Sequence, residues 1–180
     1  MRPGTMVVQV FVLGVDPGLS RCGYCVLSTT GGSRRPTAVA LGVITTPAGD
    51  PTPVRLAELQ REVAELIAEH RPQVVAVERV LFQTNVRTAM SVGQASGVVM
   101  AQAAASGANV VEYSPNEVKA AVAGWGGADK DQVQRMVQTL LGLPFVPRPP
   151  DAADAAAVAL CHVARAPLAA VAAVVTGASG

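Results

Sequence analysis

The sequence predicts an α/β layer fold in which helices flank a mixed sheet of five strands. Three apolar runs suited to strands stand near the start of the chain, and two more alternate with helical segments. An order of three strands, then helix, strand, helix, strand and helices is typical of a mixed sheet. With 180 residues and 50% hydrophobic content, the chain can bury one sizeable core and is most simply one domain.

The first three strands are predicted at residues 7–16, 22–29 and 37–46. The turn Asp16-Pro17-Gly18 separates the first two, and a turn around Gly31-Gly32 separates the second from the third.

The remaining elements alternate between helix and strand. A helix with an apolar stripe begins near Leu56 and carries an acidic row on its other face, which we interpret as a solvated surface. Pro72 ends this helix. The later elements are predicted in this order: strand 74–78, helix 86–105, strand 109–113, a short helix from Ser114-Pro115, helix 129–141, and, after the stiff linker 147–150, helix 151–165. The sequence thus predicts one folded domain over 1–166 and a flexible C-terminal tail over 167–180.

Composition excludes several classes of protein. The formal net charge of +1 argues against a generally basic surface, so any nucleic-acid site must be a local patch. No stretch of 18 apolar residues or signal peptide is present, which predicts a cytoplasmic protein without a membrane partner. The 3 cysteines suggest no disulfide framework. Cys22 and Cys25 form a CxxC motif, but it lies within a predicted strand, so we interpret them as reduced thiols.

Four carboxylates stand where apolar segments begin or end. Asp16 and Glu78 each end a predicted strand, whereas Asp151 and Asp154 lie one turn apart at the start of the last helix. In a mixed α/β sheet these positions can converge, and carboxylates packed together repel one another unless cations lie between them. Oxygen ligands without cysteine or histidine suit Mg²⁺ or Mn²⁺. Two such ions can hydrolyse a phosphodiester, so the residues themselves suggest a metal-dependent nuclease.

Each acid also has a purely structural interpretation. Asp16 could form a turn, and Asp151 could cap the last helix with Asp154 favouring its dipole. Glu78 is harder to explain in this way, because a glutamate that ends a buried strand is not a turn signal. His162 shares a face with Asp151 but lies about 16 Å along the helix, too far to join the same site. 

Candidate contacts to DNA follow from the second half of the chain. Lys119 and Lys130 are the only lysines beside 12 arginines, and each follows a predicted element boundary. They could contact phosphates or simply be solvated. Arg79 and Arg87 flank the segment after Glu78 and could also meet phosphates. Within that segment, Leu81 and Phe82 could pack against the next helix or wedge against unstacked bases.

Several of these segments together resemble the RuvC family of bacterial Holliday junction resolvases. The matching segments are Val15-Asp16-Pro17-Gly18, Val77-Glu78-Arg79-Val80, Val92-Gly93-Gln94-Ala95-Ser96-Gly97, Glu117-Val118-Lys119, Asp129-Lys130 and Asp151-Ala152-Ala153-Asp154-Ala155. Motif order and spacing agree from about residue 9 to 165. The resemblance is therefore specific, although Asp-Pro-Gly alone would be worth little.

The resemblance implies an RNase H-like fold and a homodimeric, Mg²⁺-dependent endonuclease that nicks two opposed strands of a junction symmetrically. It implies that Asp16, Glu78, Asp151 and Asp154 are the metal ligands and catalytic residues, with two Mg²⁺ per subunit that Mn²⁺ could replace. The RuvA–RuvB branch-migration complex is the implied protein partner. In one respect the chain departs from the family: many members have an aromatic residue where this chain has Leu81, and its Phe82 comes one position later.

Two other functions stay open on the residues alone. An ATP-binding fold of the actin and sugar-kinase type also has a strand that ends in Asp-x-Gly, but that fold needs two related halves. A non-catalytic junction-binding protein would not need the carboxylates, so dependence of activity on a divalent cation separates it from a nuclease.

Overall fold

The computed structural model of the protein describes residues 9–30, 35–80 and 86–165, without the side chains at positions 86 and 87. Five strands and five helices lie in these ranges. They are β1 (Gln9–Asp16), β2 (Arg21–Thr30), β3 (Thr37–Thr45), α1 (Thr52–His70), β4 (Val74–Glu78), α2 (Val86–Ala105), β5 (Asn109–Tyr113), α3 (Pro115–Ala123), α4 (Lys130–Leu141) and α5 (Pro150–Arg165). The predicted α/β fold class is confirmed. The predicted tail, the turn at Gly31-Gly32 and the pair Leu81 and Phe82 lie outside the described residues.

The strands form one mixed sheet in the order β3-β2-β1-β4-β5. Strand β2 is antiparallel to both β1 and β3, whereas β4 is parallel to β1 and to β5. The turn predicted at Asp16-Pro17-Gly18 lies between the antiparallel strands β1 and β2. Helices connect the parallel strands, because a parallel partner can be reached only by a crossover.

Helices cover the sheet on both faces. Leu59, Val63 and Ile67 of α1 pack with Val99 of α2 into one core cluster against one face. The other face carries the second cluster, in which the buried alanines of α5 lie beneath α3 and α4. The acidic row of α1 lies on the side away from its buried stripe, as predicted. No helix among the described segments is long and apolar enough to cross a membrane.

Two glycines allow α5 to lie directly on the sheet. A Cβ atom at Gly14 of β1 would collide with the backbone oxygen of Ala155, and one at Gly23 of β2 would collide with that of Asp151. No larger residue fits at these contacts without a shift of the helix. The close approach brings the first turns of α5 to the end of β1.

The predicted helix starts agree with the structure for α2 and α3 and differ by one residue for α4 and α5. Ser114 caps α3, with Pro115 at the first helical position as predicted. Helix α5, however, begins at Pro150, one residue before the predicted start. Asp151 therefore lies inside the first turn and is not the residue that precedes the helix. The capping interpretation of Asp151 is thus wrong, because the proline, with its fixed φ, already begins the helix.

Candidate active site

The four predicted acids lie at the ends of neighbouring elements. Strands β1 and β4 are parallel, with Val15 opposite Val77, so Asp16 and Glu78 come next to each other at the same edge of the sheet. Asp151 and Asp154 lie in the first turns of α5, which crosses β1 and β2 at that edge. The convergence expected from the sequence is therefore present in the fold.

A cleft of about 270 Å³ opens at this edge. Three of the acids and both lysines line it, together with apolar residues of α3, α4 and α5. The lining residues are Asp16, Glu78, Asp154, Lys119, Lys130, Pro115, Val118, Val133 and Ala157. Asp151 does not line this cleft, although its charge acts on Asp16. The cleft is thus a pocket with acidic and basic walls, suited to a phosphodiester and its counter-ions.

The two strand-end acids are held in an unfavourable electrostatic environment. Burial, followed by the charges of Glu78, Asp154 and Asp151, raises the pKa of Asp16 to about 7. Burial, followed by the charge of Asp154, raises the pKa of Glu78, although Lys130 and Lys119 act in the opposite direction. Carboxylates in such a cluster favour binding of either protons or cations.

Lys130 forms the closest ion pair of the cleft. Its Nζ lies 2.7 Å from Oδ2 of Asp154, and this hydrogen bond is the main reason that the pKa of Lys130 is raised. The position of Lys130 follows from the local sequence, since Asp129 caps α4 by accepting a hydrogen bond of 2.8 Å from the Gln132 N–H. Lys130 is therefore fixed as the first residue of the helix.

Sequence reasoning missed a second ion pair. Arg21, the first residue of β2, donates from Nε to Oδ2 of Asp151 at 3.0 Å, and its guanidinium NH2 lies 2.9 Å from the same oxygen. β2 runs antiparallel to β1 with Asp16 opposite Gly23, so β2 starts at the edge where β1 ends. An arginine at the start of this strand was a signal for a positive charge at this edge, but its partner could not be identified from the sequence.

The carboxylate oxygens of the four acids are suitable ligands for a hard divalent cation. In this structure, however, two of the acids are paired with basic side chains of the protein itself. Among the described residues, no three or more acids, histidines or cysteines are already placed to hold a metal ion. Asp154 is paired with Lys130, and Asp151 with Arg21. A cation bound by these oxygens would compete with both pairs, while relieving the repulsion around Asp16 and Glu78.

A polar cluster behind the cleft supports the start of α3. The Ser114 Oγ and the Ser114 N–H both bond to the carboxylate of Glu117, at 2.8 Å and 2.9 Å. Arg165 lies 3.2 Å from the same carboxylate. These bonds with Ser114, followed by the charge of Arg165, lower the pKa of Glu117. They fix the turn of α3 that carries Lys119.

The other predicted residues lie apart from the cleft or outside the described residues. Arg79 follows β4 but does not line the cleft; its charge acts instead on Glu117. The side chain of Arg87, like Leu81 and Phe82, lies outside the described part of the chain. His162 shares a hydrogen bond of 2.8 Å with the hydroxyl of Tyr113, and burial lowers its pKa.

The cysteines have no environment suited to redox chemistry. Cys22 and Cys25 are buried in β2, as predicted for strand residues. Burial is the main cause that raises the pKa of each thiol to about 12. They are protonated core residues.

Comparison with known proteins identifies the family. The family model described as crossover junction endodeoxyribonuclease RuvC matches residues 12–162. The RuvC of Salinispora arenicola (strain CNS-205) is 53% identical over 154 residues, covering 86% of this chain and 87% of that protein. The RuvC of Chloroflexus aggregans (strain MD-66 / DSM 9485) is 50% identical over 155 residues, covering 86% of this chain and 93% of that protein.

A solved structure agrees in fold as well. Thermus thermophilus RuvC in complex with its Holliday junction substrate superposes with a TM-score of 0.80 at 36% identity, covering 86% of this chain and 93% of that chain. The fold is therefore RNase H-like, as the resemblance implied, and the ATP-binding alternative has no support. With the matched region extending over β1 to α5, the chain belongs to the RuvC family of crossover junction endodeoxyribonucleases.

Proposed function

We propose that the protein is a structure-selective endonuclease that resolves Holliday junctions in DNA recombination and repair by paired, symmetric nicks. The observation that carries this proposal is the convergence of Asp16, Glu78 and Asp154 with Lys119 and Lys130 around one cleft. Membership of the RuvC family gives the substrate class. A protein that only bound junctions would gain nothing from buried acids whose pKa values are raised, so the non-catalytic alternative is less favoured.

The acids are proposed to hold divalent cations. Asp16, Glu78, Asp151 and Asp154 would bind two Mg²⁺ per subunit, which Mn²⁺ can replace. Bound there, the ions supply an activated water and stabilise the departing 3′ oxygen of the scissile phosphodiester. Of the four acids, Asp16 gains most from a cation, because its carboxylate is raised in energy by the other three.

Lys119 and Lys130 are proposed to position the scissile strand. Both side chains line the cleft with the acids, so a phosphate above the acids meets two ammonium groups. The Lys130 side chain is 61% exposed although its ammonium is paired with Asp154. It can therefore turn from Asp154 to a phosphate when a cation takes its place.

Further DNA contacts are proposed for the segment that follows β4. Arg79 is exposed at its start, and Arg87 lies near the start of α2. Leu81 and Phe82, between them, are proposed to open the centre of the junction as an apolar wedge. We assign the wedge to this segment because it follows Glu78, the last residue of β4, in the sequence.

A homodimer explains how two nicks are made symmetrically. A two-fold protein matches the pseudo-two-fold centre of a four-way junction. Helix α2 is the proposed interface, since the space around Gly93 and Gly97 is open and Met90 is 63% exposed. Interaction with the RuvA–RuvB complex and a cytoplasmic location stay predictions.

A cleavage assay with a synthetic four-way junction tests this function. Labelled junction is incubated with protein in Mg²⁺ or in EDTA, and binding is followed separately by fluorescence anisotropy in EDTA. We expect paired nicks at matching positions of two opposed strands in the reaction with Mg²⁺, and no nicks in the reaction with EDTA. Asp154→Asn should abolish cleavage while leaving binding unchanged or tighter, because it removes one negative charge facing the DNA.

The matched control is Asp131→Asn, which removes an exposed acid of α4. It should cleave as wild type does. Near-normal nicking by Asp154→Asn in Mg²⁺ would refute the assignment of Asp154. Binding without cleavage in both Mg²⁺ and Mn²⁺ would instead identify a junction-binding protein.

A further inference from the structure

A second groove lies beside the cleft and has no role in the proposed chemistry. Its volume is about 310 Å³, and it runs between the end of α3 and the outer face of α4. The lining residues are Ala123, Trp125, Gln132, Arg135, Met136 and Thr139. Both an aromatic ring and a guanidinium therefore face this groove.

Trp125 presents a large apolar surface to water. The residue is 58% exposed and belongs to the short loop between α3 and α4. Gly124 ends α3 in the left-handed conformation with φ of 85°, and the Ala128 N–H donates to the Trp125 carbonyl at 3.4 Å. The indole packs so closely on Gly127 that any Cβ there would collide with it. The ring is thus supported on one side and open on the other.

Arg135 adds a positive charge that the protein does not neutralise. Arg135 is exposed on α4, and none of the ion pairs among the described residues involves it. Asp131 lies one turn earlier on the same helix without pairing with it. A phosphate is therefore a better partner for this guanidinium than any side chain nearby.

The groove continues the cleft along both helices. Lys119 of α3 lines the cleft, and Ala123, one turn later, lines the groove. On α4, Val133 lines the cleft, and Met136, one turn later, lines the groove. These steps of four and three residues are about 6 Å and about 4.5 Å along the helix axes, on the order of one or two nucleotides of a DNA strand at about 3.4 Å each. A strand whose phosphate lies in the cleft can therefore extend into the groove.

We infer that this groove binds the DNA strand as it leaves the cleft, with an unstacked base on Trp125 and a phosphate on Arg135. The inference rests on the proposed function, because the cleft gives the strand its position. Aromatic rings with adjacent cations form the usual surface for single-stranded nucleic acid. A protein partner is less favoured, since it would not explain why the groove lies about one helical turn from the lysine-lined cleft.

The chain has only one tryptophan, so its emission reports directly on this groove. Selectively excited tryptophan fluorescence is measured while unlabelled four-way junction is added in EDTA, which prevents cleavage. Binding is measured in parallel by anisotropy of a labelled junction. We expect the tryptophan emission to be quenched along the same binding curve, and acrylamide to reach the ring less well in the complex.

Variants separate the stacking contact from the phosphate contact. Trp125→Ala should weaken junction binding by about fivefold or more, whereas Trp125→Phe should keep most of the affinity. Arg135→Gln should reduce the salt dependence of binding by about one phosphate contact. Arg61→Gln is the matched control, because Arg61 is an exposed arginine of α1 on the opposite face of the sheet. This control should bind as wild type does.

The outcomes distinguish this inference from the proposed function. Tight junction binding with unchanged tryptophan emission and unchanged acrylamide access would show that the groove does not bind DNA. The proposed function would stand, and a protein partner would then be the better candidate for the groove. Equal affinities of Trp125→Ala, Arg135→Gln and wild type would overturn it as well. Failure of wild type to bind junctions in the anisotropy assay would overturn the proposed function together with it.

Discussion

Replacement of Asp16 by asparagine should stabilise the metal-free protein above neutral pH. In the folded state, burial and the charges of Glu78, Asp154 and Asp151 raise the pKa of Asp16 from 3.8 to about 7. The unfolded chain lacks these neighbours, so its carboxyl group ionises near the ordinary value. Between the two pKa values the folded state binds more protons than the unfolded state. The free energy of unfolding should therefore fall as the pH rises from about 4 to about 7.

The size of this effect follows from the pKa itself. A pKa raised from 3.8 to about 7 costs the folded protein about 4 kcal/mol once Asp16 is ionised, at about 1.36 kcal/mol for each pH unit. Asparagine has nearly the same size but carries no charge, so the variant avoids this cost. For a domain of this length, about 4 kcal/mol corresponds to a rise in Tm of about 10 °C.

The assay is thermal unfolding in EDTA at several pH values between 5 and 8. Wild type should lose stability across this range, whereas Asp16→Asn should lose much less and should melt at the higher temperature at pH 8. The control is Asp50→Asn, which alters an exposed acid in the turn after β3 and should follow wild type. Added Mg²⁺ at pH 8 should then raise the Tm of wild type more than that of Asp16→Asn, because a bound cation relieves the same repulsion.

Two results would refute this reasoning. If Asp16→Asn were less stable than wild type at pH 8, the carboxylate would have a structural partner that its surroundings do not reveal. If wild type showed no loss of stability between pH 5 and 8, neither burial nor the neighbouring acids would raise the pKa of Asp16. In either case the argument for a cation between them would lose its physical basis.

Three further predictions concern the lysines that position the scissile DNA strand, the packing of α5 on the sheet, and the proposed wedge residue Phe82. Lys119→Ala and Lys130→Ala should each slow junction cleavage and reduce the salt dependence of binding by about one phosphate contact; an unchanged rate with an unchanged salt slope would make them ordinary surface lysines. Gly14→Ala should lower the free energy of unfolding by about 2 kcal/mol or more in urea unfolding, because its Cβ collides with α5, whereas Gly49→Ala, which meets open space, should change it little. Phe82→Ala should lower cleavage about tenfold and reduce base unstacking, followed with 2-aminopurine at the junction centre; normal unstacking with a lower Tm would identify a core residue.

The strands and helices could be predicted from sequence because their signals are local. Strands β4 and β5 are short, mainly apolar runs, and the predicted bounds of both strands and of α2 agree with the structure. The order of the strands in the sheet, by contrast, could not be predicted from local signals. It depends on pairing between residues far apart in the chain, such as Val15 with Val77.

The same limit explains which parts of the site were missed. The acids could be found because each one interrupts or begins an apolar segment. Arg21 could not be paired with Asp151 in advance, since the two residues are 130 positions apart and meet only when α5 lies on β2. Trp125 was missed for another reason: a tryptophan between glycines is compatible with a core contact, and only its exposure in the folded structure shows that it faces solvent.

The sign of the Asp16 pKa shift helps to separate a structural acid from a functional one. An acid kept for stability accepts hydrogen bonds or pairs with a cation, and its pKa falls. Glu117 is such a case, since bonds with Ser114 lower its pKa. Asp16 is the opposite, because its surroundings raise its pKa to about 7 and thereby destabilise the ionised folded protein. A turn former would not need to be buried beside Glu78, so the turn interpretation of Asp16 does not account for its position. A cation held between the acids does account for it, since cation binding converts the same repulsion into affinity.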